Sequence, residues 1–275
     1  TIDKYVYVII KKRFDDKIYI NYSKKECVDD VGLIQHDLVR ESMVKTNITS
    51  GVEITTLADI PSSGSGLGSS SSITVGLLHA LYTFKNKLVS ADKLAEEACE
   101  IEIDILGNPI GKQDQYAAAF GGLNHFKFNK DQTVERKPIN LDQDLLRRFS
   151  SSIFLYYTGI ARSSETILKD QIKLKSEDQK FNIMRKIVNM VPEFINFLKS
   201  GDIINCGILM DKNWELKKKM AKGITNDKID DLYQFAKDAG SIGGKISGAG
   251  GGGFLLMLTE RDSQSQFFKS MSNLK

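Results

Sequence analysis

The segment at residues 61–79, PSSGSGLGSSSSITVGLLH, constrains the fold more than any other part of the sequence. Its glycines, Gly64, Gly66 and Gly68, tolerate positive φ and let the backbone approach a ligand closely. The serines that follow lead into apolar residues at helical spacing, which predicts an amphipathic helix at about residues 70–87. Free N–H groups at the start of a helix favour an anionic oxygen, so the segment predicts a phosphate-binding loop.

Two common nucleotide loops do not match this segment. Residues 64–69 read GSGLGS, without the lysine of a Walker loop and without the third glycine of the dinucleotide fingerprint. A flexible Gly/Ser connection is the alternative interpretation. The strand-like alternation of residues 52–57 before the loop, and the helical pattern after it, favour a ligand loop. A nucleotide is therefore the first ligand that we expect.

The composition predicts an ordinary globular protein. The chain has 275 residues, 41% of them hydrophobic, and a net charge of +3 from 38 basic and 35 acidic residues. That balance is far from the basic excess of a nucleic-acid binder, and no apolar run is long enough to span a membrane. We therefore expect neither a nucleic acid nor a membrane as a partner. The densest basic run, Lys217 to Lys219 with Lys222, is typical of a solvated helix face.

Cysteine and histidine are too few to support several kinds of site. The three cysteines, at positions 27, 99 and 206, match neither a disulfide framework nor a zinc site, and they fit a reducing cytoplasm. With three histidines, a histidine-based metal site or catalytic triad is poorly supplied. The sequence opens on the strand-like TIDKYVYVII without an initiator methionine, so we expect that a preceding segment is missing.

The order of predicted elements indicates an α+β fold. Strands are predicted at residues 4–10, 18–20, 52–57 and 123–128, and helices after the glycine loop and after Ser90, with a helix or turn at 111–120. Residues 129–152 read as a connection and domain boundary. A second half follows, with a strand at 153–158, a long helix, helices around Trp214 and Leu232, and a strand–turn–strand at 242–258.

Three segments in this order resemble motifs of the GHMP kinase superfamily, named for galactokinase, homoserine kinase, mevalonate kinase and phosphomevalonate kinase. PSSGSGLGSSSS resembles its phosphate loop, GKQDQYAAAFGGLN at 111–124 its catalytic aspartate segment, and KISGAGGGGFLLML at 245–258 its C-terminal glycine motif. Together with YYTGIARSSETIL at 156–168, the second segment is similar to bacterial kinases of D-glycero-D-manno-heptose 7-phosphate. The family's first motif, which ends near G-G-G-T-D, is not in the sequence.

This resemblance implies a two-domain α+β fold, with a ribosomal-protein-S5-like domain at residues 1–150 and a ferredoxin-like domain at 151–275. It also implies an ATP-dependent, Mg²⁺-requiring mechanism in which Asp114 orients or deprotonates the acceptor hydroxyl. Lys112 is the second predicted catalytic residue, as a cation that meets phosphate. Ser70 and Glu102 would hold the metal ion. The implied nucleotide-binding residues are Pro61, Gly64, Ser65, Gly66, Leu67, Gly68, Ser69, Ser70 and Ser71. The implied substrate-binding residues are Gly111, Arg162, Gly248, Ala249, Gly250 and Gly251.

The residue patterns alone leave other interpretations of these positions open. Asp114 also fits a helix N-cap, Glu102 a surface charge, Arg162 an ion pair between domains, and residues 248–253 a hairpin required only for folding. We expect a cytoplasmic sugar kinase that phosphorylates the anomeric hydroxyl of the heptose 7-phosphate. The alternatives are a galactokinase, a fucokinase-like or mevalonate-pathway kinase, or a non-catalytic ligand-binding regulator. The expected partner is a small-molecule sugar or sugar phosphate, and a homodimer is compatible with the sequence.

Overall fold

Two units make up the computed structural model, which describes residues 1–61, 64–160 and 177–274, without the side chains of residues 177 and 178. The first unit is Thr1–Ser62 with Gly68–Pro138, and the second is Ser63–Leu67 with Ile139–Lys275. Both combine strands and helices, as the α+β prediction requires. The division into sequence domains at residue 150 stays a prediction.

The first unit contains a mixed sheet and a two-stranded hairpin. The mixed sheet has the spatial order β1–β4–β2–β3; β4 pairs antiparallel with β1 and parallel with β2, and β2 pairs antiparallel with β3. The hairpin pairs β5 with β6. The strands are β1 (Val6–Lys12), β2 (Ile18–Asn21), β3 (Lys25–Val28), β4 (Val52–Ala58), β5 (Asn124–Phe128) and β6 (Val134–Pro138).

Four α-helices accompany these strands in the described part of the first unit. They are α1 (Asp37–Thr46), α2 (Ser69–Phe84), α3 (Ala91–Cys99) and α4 (Gln113–Phe120), and a π-helical segment, Glu100–Ile105, continues α3. Helix α2 buries Leu77, Leu78 and Leu81 completely against the sheet, as its apolar spacing predicts. The side chain of Ser90 caps α3 by accepting a hydrogen bond from the N–H of Lys93, which confirms the predicted cap.

The second unit has an antiparallel sheet of order β7–β9–β8 in its described residues, and helices pack on it. Its core includes Trp214, Ile246, Leu255 and Phe267, all at most 1% exposed. The elements are α5 (Gln143–Ser152), β7 (Ile153–Tyr157), α6 (Glu177–Ser200), α7 (Ile203–Lys218), α8 (Asp227–Asp238), β8 (Ser241–Ile246), β9 (Phe254–Thr259) and α9 (Gln264–Ser272).

The interpretation of residues 129–152 as a connection is wrong. This stretch contains β6 and α5, the latter capped by Asp142, whose carboxylate accepts from the N–H of Leu145 at 2.8 Å. Four of the five residues of β6 are exposed, so the strand lacks the alternation that would have revealed it. Among the described residues, no helix is both long and apolar enough to cross a membrane.

Candidate active site

Helix α2 begins without a capping side chain. Its N-cap is Gly68, in the left-handed conformation at φ 70° and ψ 31°, and the helix starts at Ser69, one residue earlier than predicted. The Ser69 hydroxyl donates to the carbonyl oxygen of Pro61 at 3.4 Å. This bond connects the start of α2 to the segment that follows β4. The first N–H groups of an α-helix have no acceptor within the helix itself, which is why a helix start suits an anionic ligand.

Asp114 packs directly against this helix start. A Cβ atom built on Gly68 would lie 3.2 Å from the Cβ and Cγ atoms of Asp114 and 3.3 Å from its Oδ2. Only a glycine at position 68 therefore lets the carboxylate come this close without displacement. Asp114 lies in the first turn of α4, and the N-cap of that helix is Lys112, so the interpretation of Asp114 as an N-cap is wrong.

The protein favours the protonated form of Asp114 more than water does. Desolvation raises the pKa of this carboxyl group, and an interaction with the side-chain amide of Gln113 acts in the opposite direction. The side chain nevertheless remains exposed to solvent. A carboxylate that is both accessible and partly desolvated is suited to accept a proton from a ligand hydroxyl.

Glu102 is completely buried, in contrast to the surface charge that composition alone favours. It lies in the π-helical segment Glu100–Ile105, and such segments are frequent at functional sites. Its Oε2 atom accepts a hydrogen bond of 2.7 Å from Nε2 of Gln115, which is also 0% exposed. The sequence analysis did not identify Gln115, although it follows Asp114 directly, because nothing in the local pattern distinguishes it from a solvated amide.

The environment of Glu102 opposes its negative charge. Burial is the main factor that raises its pKa; the hydroxyls of Ser70 and Ser71 and the Gln115 amide lower it, and the charge of Asp114 raises it. The serines are close enough to stabilise the charge, but within the described chain Oε1 has no partner in hydrogen-bond geometry. A buried carboxylate oxygen without a partner is costly unless a ligand supplies one.

These residues fit a magnesium ion. Mg²⁺ prefers oxygen ligands, keeps several waters, and is usually held by one or two protein groups together with substrate phosphates. The unpartnered Oε1 of Glu102 and the nearby hydroxyl of Ser70 form a donor set of that kind. Among the described residues, no group of three or more His, Cys, Asp or Glu side chains could hold a metal, so the fit is to an ion that needs few protein ligands.

The structure does not bring every predicted residue to Asp114. The hydrogen bond described for Lys112 runs from its Nζ to the carbonyl oxygen of Gln132, at 3.2 Å. A Cβ atom on Gly111 would meet no atom of the described residues within 4 Å. Arg162, with the rest of residues 161–176, lies outside the described residues.

In the second unit, the two glycine-rich segments pack backbone to backbone. A Cβ atom on Gly66 would lie 2.7 Å from the carbonyl oxygen of Ser247, and one on Gly248 would lie 2.8 Å from the Cα and O atoms of Gly66. The N–H of Phe254 donates to the carbonyl oxygen of Ser65 at 3.2 Å. Mutual packing therefore requires glycine at both Gly66 and Gly248, whatever ligand they bind.

In the C-terminal glycine motif, Gly250 and Gly251 pack on Ile224. The N–H of Gly251 donates to the carbonyl oxygen of Ile224 at 2.7 Å, and a Cβ atom on Gly250 would lie 2.9 Å from that oxygen. Gly250 and Gly251 have φ values of 105° and 77°, and Ala249 lies between them and Gly248. This packing explains why glycine is needed at these positions. Contacts of the motif with a substrate stay a prediction.

Phosphoryl transfer requires donors for phosphate oxygens, a ligand for a divalent cation, and a group that accepts a proton from the attacking hydroxyl. The first unit has a candidate for each at one helix start, an arrangement that fits a phosphotransferase with an alcohol acceptor. The model for the GHMP kinases N terminal domain matches residues 33–122, and the model for the GHMP kinases C terminal domain matches residues 191–274. The chain belongs to the GHMP kinase family.

The chain is similar to several members of this family. It is 29% identical to the D-glycero-alpha-D-manno-heptose 7-phosphate kinase of Campylobacter jejuni, over 98% of this chain and 83% of that protein. A structure of a D-glycero-D-manno-heptose 1-phosphate kinase from Bacteroides thetaiotaomicron is similar at a TM-score of 0.73 and 26% identity, over 99% of this chain and 82% of that one. The structure of a putative sugar kinase from C. jejuni has a TM-score of 0.78 and 27% identity, over 98% of this chain and 81% of that one.

Two lysines of the second unit, Lys217 and Lys245, are functional candidates that the sequence analysis did not identify. Lys217 was expected on a solvated face, and the exposed Lys219 and Lys222 agree with that, but Lys217 is half-buried. Burial and, to a smaller extent, the positive charge of Lys245 together lower the pKa of Lys217 to about 7. Both lysines were missed because their burial comes from tertiary packing, which a run of lysines does not reveal.

Proposed function

We propose that this chain transfers the terminal phosphoryl group of ATP to the anomeric hydroxyl of D-glycero-D-manno-heptose 7-phosphate. The contact between Gly68 and Asp114 carries the proposal, because it joins a helix start suited to phosphate to a carboxylate suited to an alcohol. In this mechanism Asp114 orients the acceptor hydroxyl and takes its proton as the new bond to the γ-phosphorus forms, while the bond from that phosphorus to the β,γ-bridging oxygen breaks and ADP leaves. General-base assistance of this kind contributes about 10²- to 10⁴-fold in rate.

The first turn of α2 and Glu102 would act on the nucleotide. The N–H groups at this helix start would hold phosphate oxygens, and the Ser70 hydroxyl with Oε1 of Glu102 would hold Mg²⁺. When bound, the ion supplies positive charge that neutralises the β- and γ-phosphate oxygens. Gln115 fixes the other oxygen of Glu102, so we propose it as a positioning residue for the metal ligand.

The choice of acceptor rests on similarity. The relatives and structures compared above include kinases named for heptose phosphates, and they align with nearly the whole chain. We propose a phosphorylated sugar as the substrate class on that ground, with Gly111, Arg162 and residues 248–251 as its predicted ligands. A galactokinase, a fucokinase-like enzyme, a mevalonate-pathway kinase and a ligand-binding regulator are the alternatives.

The experiment is an acceptor screen that measures ADP release from Mg²⁺-ATP with galactose, fucose, mevalonate and the heptose as free sugar, 1-phosphate and 7-phosphate. We expect turnover with the heptose 7-phosphate to exceed that with the other acceptors, and phosphorus NMR to identify a 1,7-bisphosphate product. The Asp114→Asn variant should lose at least 100-fold in kcat and still bind ATP, because general-base assistance is worth about that much.

Each other result would contradict a defined part of the proposal. Turnover with galactose, fucose or mevalonate alone would replace the acceptor and leave the phosphotransfer mechanism standing. Binding of ATP without turnover of any acceptor would favour the regulator. An unchanged kcat in Asp114→Asn would exclude this carboxylate as the base.

We also propose a cytoplasmic location, which the free thiols of Cys27, Cys99 and Cys206 support. Association into a homodimer stays a prediction, and sedimentation would test it.

A further inference from the structure

Helix α7 of the second unit lies very close to strand β8, because glycines face each other across the contact. A Cβ atom on Gly207 would lie 2.6 Å from the Ile242 side chain, and one on Gly243 would lie 2.4 Å from the carbonyl oxygen of Gly207 and 2.8 Å from Cβ of Asp211. Later residues of α7 contact later residues of β8, so the helix and the strand run in the same direction at this contact. Ten helical residues rise about 15 Å, and five extended residues span about the same length. Lys217, ten residues after Gly207, therefore lies level with the end of β8.

Two lysines lie together at this end of the contact. Lys217 comes from α7 and Lys245 from β8, and the Nζ of Lys217 donates to the carbonyl oxygen of Gly248. Gly248 in turn packs on the backbone of Gly66, in the segment that the sequence predicts to bind phosphate. An ammonium group has three donor hydrogens, so the bond to Gly248 leaves two of those of Lys217 for a ligand.

This pair of lysines has no carboxylate to balance its charge within the described chain. Three acidic side chains of α7 and α8 are engaged with other partners. Asp211 pairs with Lys237 at 3.4 Å, Glu215 with Lys218 at 2.6 Å, and Asp230 with Lys218 at 3.8 Å and with the Thr225 hydroxyl at 2.8 Å.

Both ammonium groups also pay a desolvation cost. Burial lowers the pKa of each lysine, and for Lys217 the positive charge of Lys245 adds to the effect. Two adjacent, partly buried cations without a counter-ion are unfavourable in the free protein, and such perturbed groups are concentrated at functional sites.

We propose that Lys217 and Lys245 bind the oxyanion of a phosphate group beside Gly248. The proposal rests on the proposed function, because that reaction offers two sources of the same chemistry: the phosphate already present on the acceptor and the phosphates of ATP. A phosphate dianion matches the two positive charges and accepts the hydrogen bonds that the ammonium groups can still donate. Uncharged sugars and alcohols have no negative charge to pair with the two lysines.

The test replaces each lysine by glutamine in the full-length chain, as Lys217→Gln and Lys245→Gln. These changes remove a partly buried charge, so we expect folded proteins, and thermal unfolding verifies this. Lys222→Gln, at an exposed position of the same basic run, is the matched control. Lys217→Arg keeps the charge and should retain at least part of the binding. Titration calorimetry measures the binding of inorganic phosphate, of ATP and of the heptose 7-phosphate, and ADP release gives the two KM values.

We expect either lysine variant to lose at least 10-fold in affinity for a phosphate-bearing ligand, and the control to change less than twofold. A rise in KM for the heptose 7-phosphate alone assigns the site to the acceptor, whereas a rise in KM for ATP alone assigns it to the nucleotide. Affinities and KM values within twofold of the wild type in both variants would overturn the proposal. If the wild type fails to turn over any acceptor, the proposed function fails, yet calorimetry with ATP and inorganic phosphate still decides whether the lysines bind phosphate.

Discussion

Gly68 has a backbone conformation and a neighbour that each exclude a side chain. Its φ is 70°, and Asp114 lies where a Cβ would point. We predict that Gly68→Ala costs about 1 kcal/mol of stability from the left-handed backbone. The Asp114 carboxylate would also have to move by a few tenths of an ångström to admit the new Cβ. This displacement should lower kcat further, by less than the roughly 100-fold that a misplacement of 1 Å can cost. Steady-state kinetics and urea unfolding measure the two effects.

Gly122→Ala separates the two causes. Gly122 has a similar φ of 66°, but a Cβ there would meet nothing within 4 Å. It should lose comparable stability and keep its kcat. If Gly68→Ala also keeps its kcat, the contact with Asp114 does not matter for the reaction.

Glu102 combines complete burial with an oxygen that has no partner in the described chain. We predict that Glu102→Gln, measured without ATP or metal at pH 7, raises the free energy of unfolding by about 1 kcal/mol, because the buried charge is removed. The raised pKa of Glu102 determines how the stability gain of Glu102→Gln depends on pH. The charge is a cost at pH values above the folded pKa, and the gain should vanish as the pH falls below the ordinary value of 4.5.

The same variant should lose at least 100-fold in kcat, because the proposed metal ligand is gone. The exposed Glu96 provides the control, since Glu96→Gln should change neither the stability nor the rate. A less stable Glu102→Gln at pH 7 would contradict the interpretation of an uncompensated buried charge. The sequence could not reveal this burial, because Glu102 lies among other acidic residues and the π-helical segment that turns it inward has no local signature.

Among the elements, the packing of residues 64–67 on residues 247–253 gives a sharp stability test. In Gly248→Ala the new Cβ would lie 2.8 Å from backbone atoms of Gly66, at a φ of 67°. We predict a loss of about 2–4 kcal/mol, from about 1 kcal/mol of backbone strain and 1–3 kcal/mol of overpacking. Gly159→Ala, at φ 70° and with no described atom within 4 Å of the new Cβ, should lose only the strain. Equal losses in urea unfolding would show that the loop contact contributes nothing.

The sequence predicts elements well where burial is periodic. The pattern of α2 locates its buried leucines, and the alternation at residues 52–57 predicts β4 to within one residue. The prediction fails where burial is low or tertiary, as in the exposed strand β6 and in the lysines of α7 and β8. The candidate carboxylates Asp114 and Glu102 could be named only because short motifs resemble a family. Their contacts with Gly68 and Gln115 needed coordinates.

At the scale of the whole molecule, ligand binding should raise thermal stability in a metal-dependent way. A ligand at 100 times its Kd adds about 2.7 kcal/mol to the free energy of unfolding. We predict that ATP with Mg²⁺ raises the Tm of the wild type more than ATP with a chelator does. Glu102→Gln should lose this difference and Asp114→Asn should keep it. Identical melting curves with and without the chelator would exclude a metal held by Glu102.

The backbone contact between Gly66 and Gly248 also limits how a chain of this kind can evolve. A side chain added to either segment would need space that only the loss of atoms from the other could provide, and glycine has none to lose. A side chain at Gly66 or Gly248 is therefore expected to destabilise this contact, and a second substitution at the other glycine cannot restore the space. We therefore expect a change in acceptor preference to arise at positions other than these two glycines.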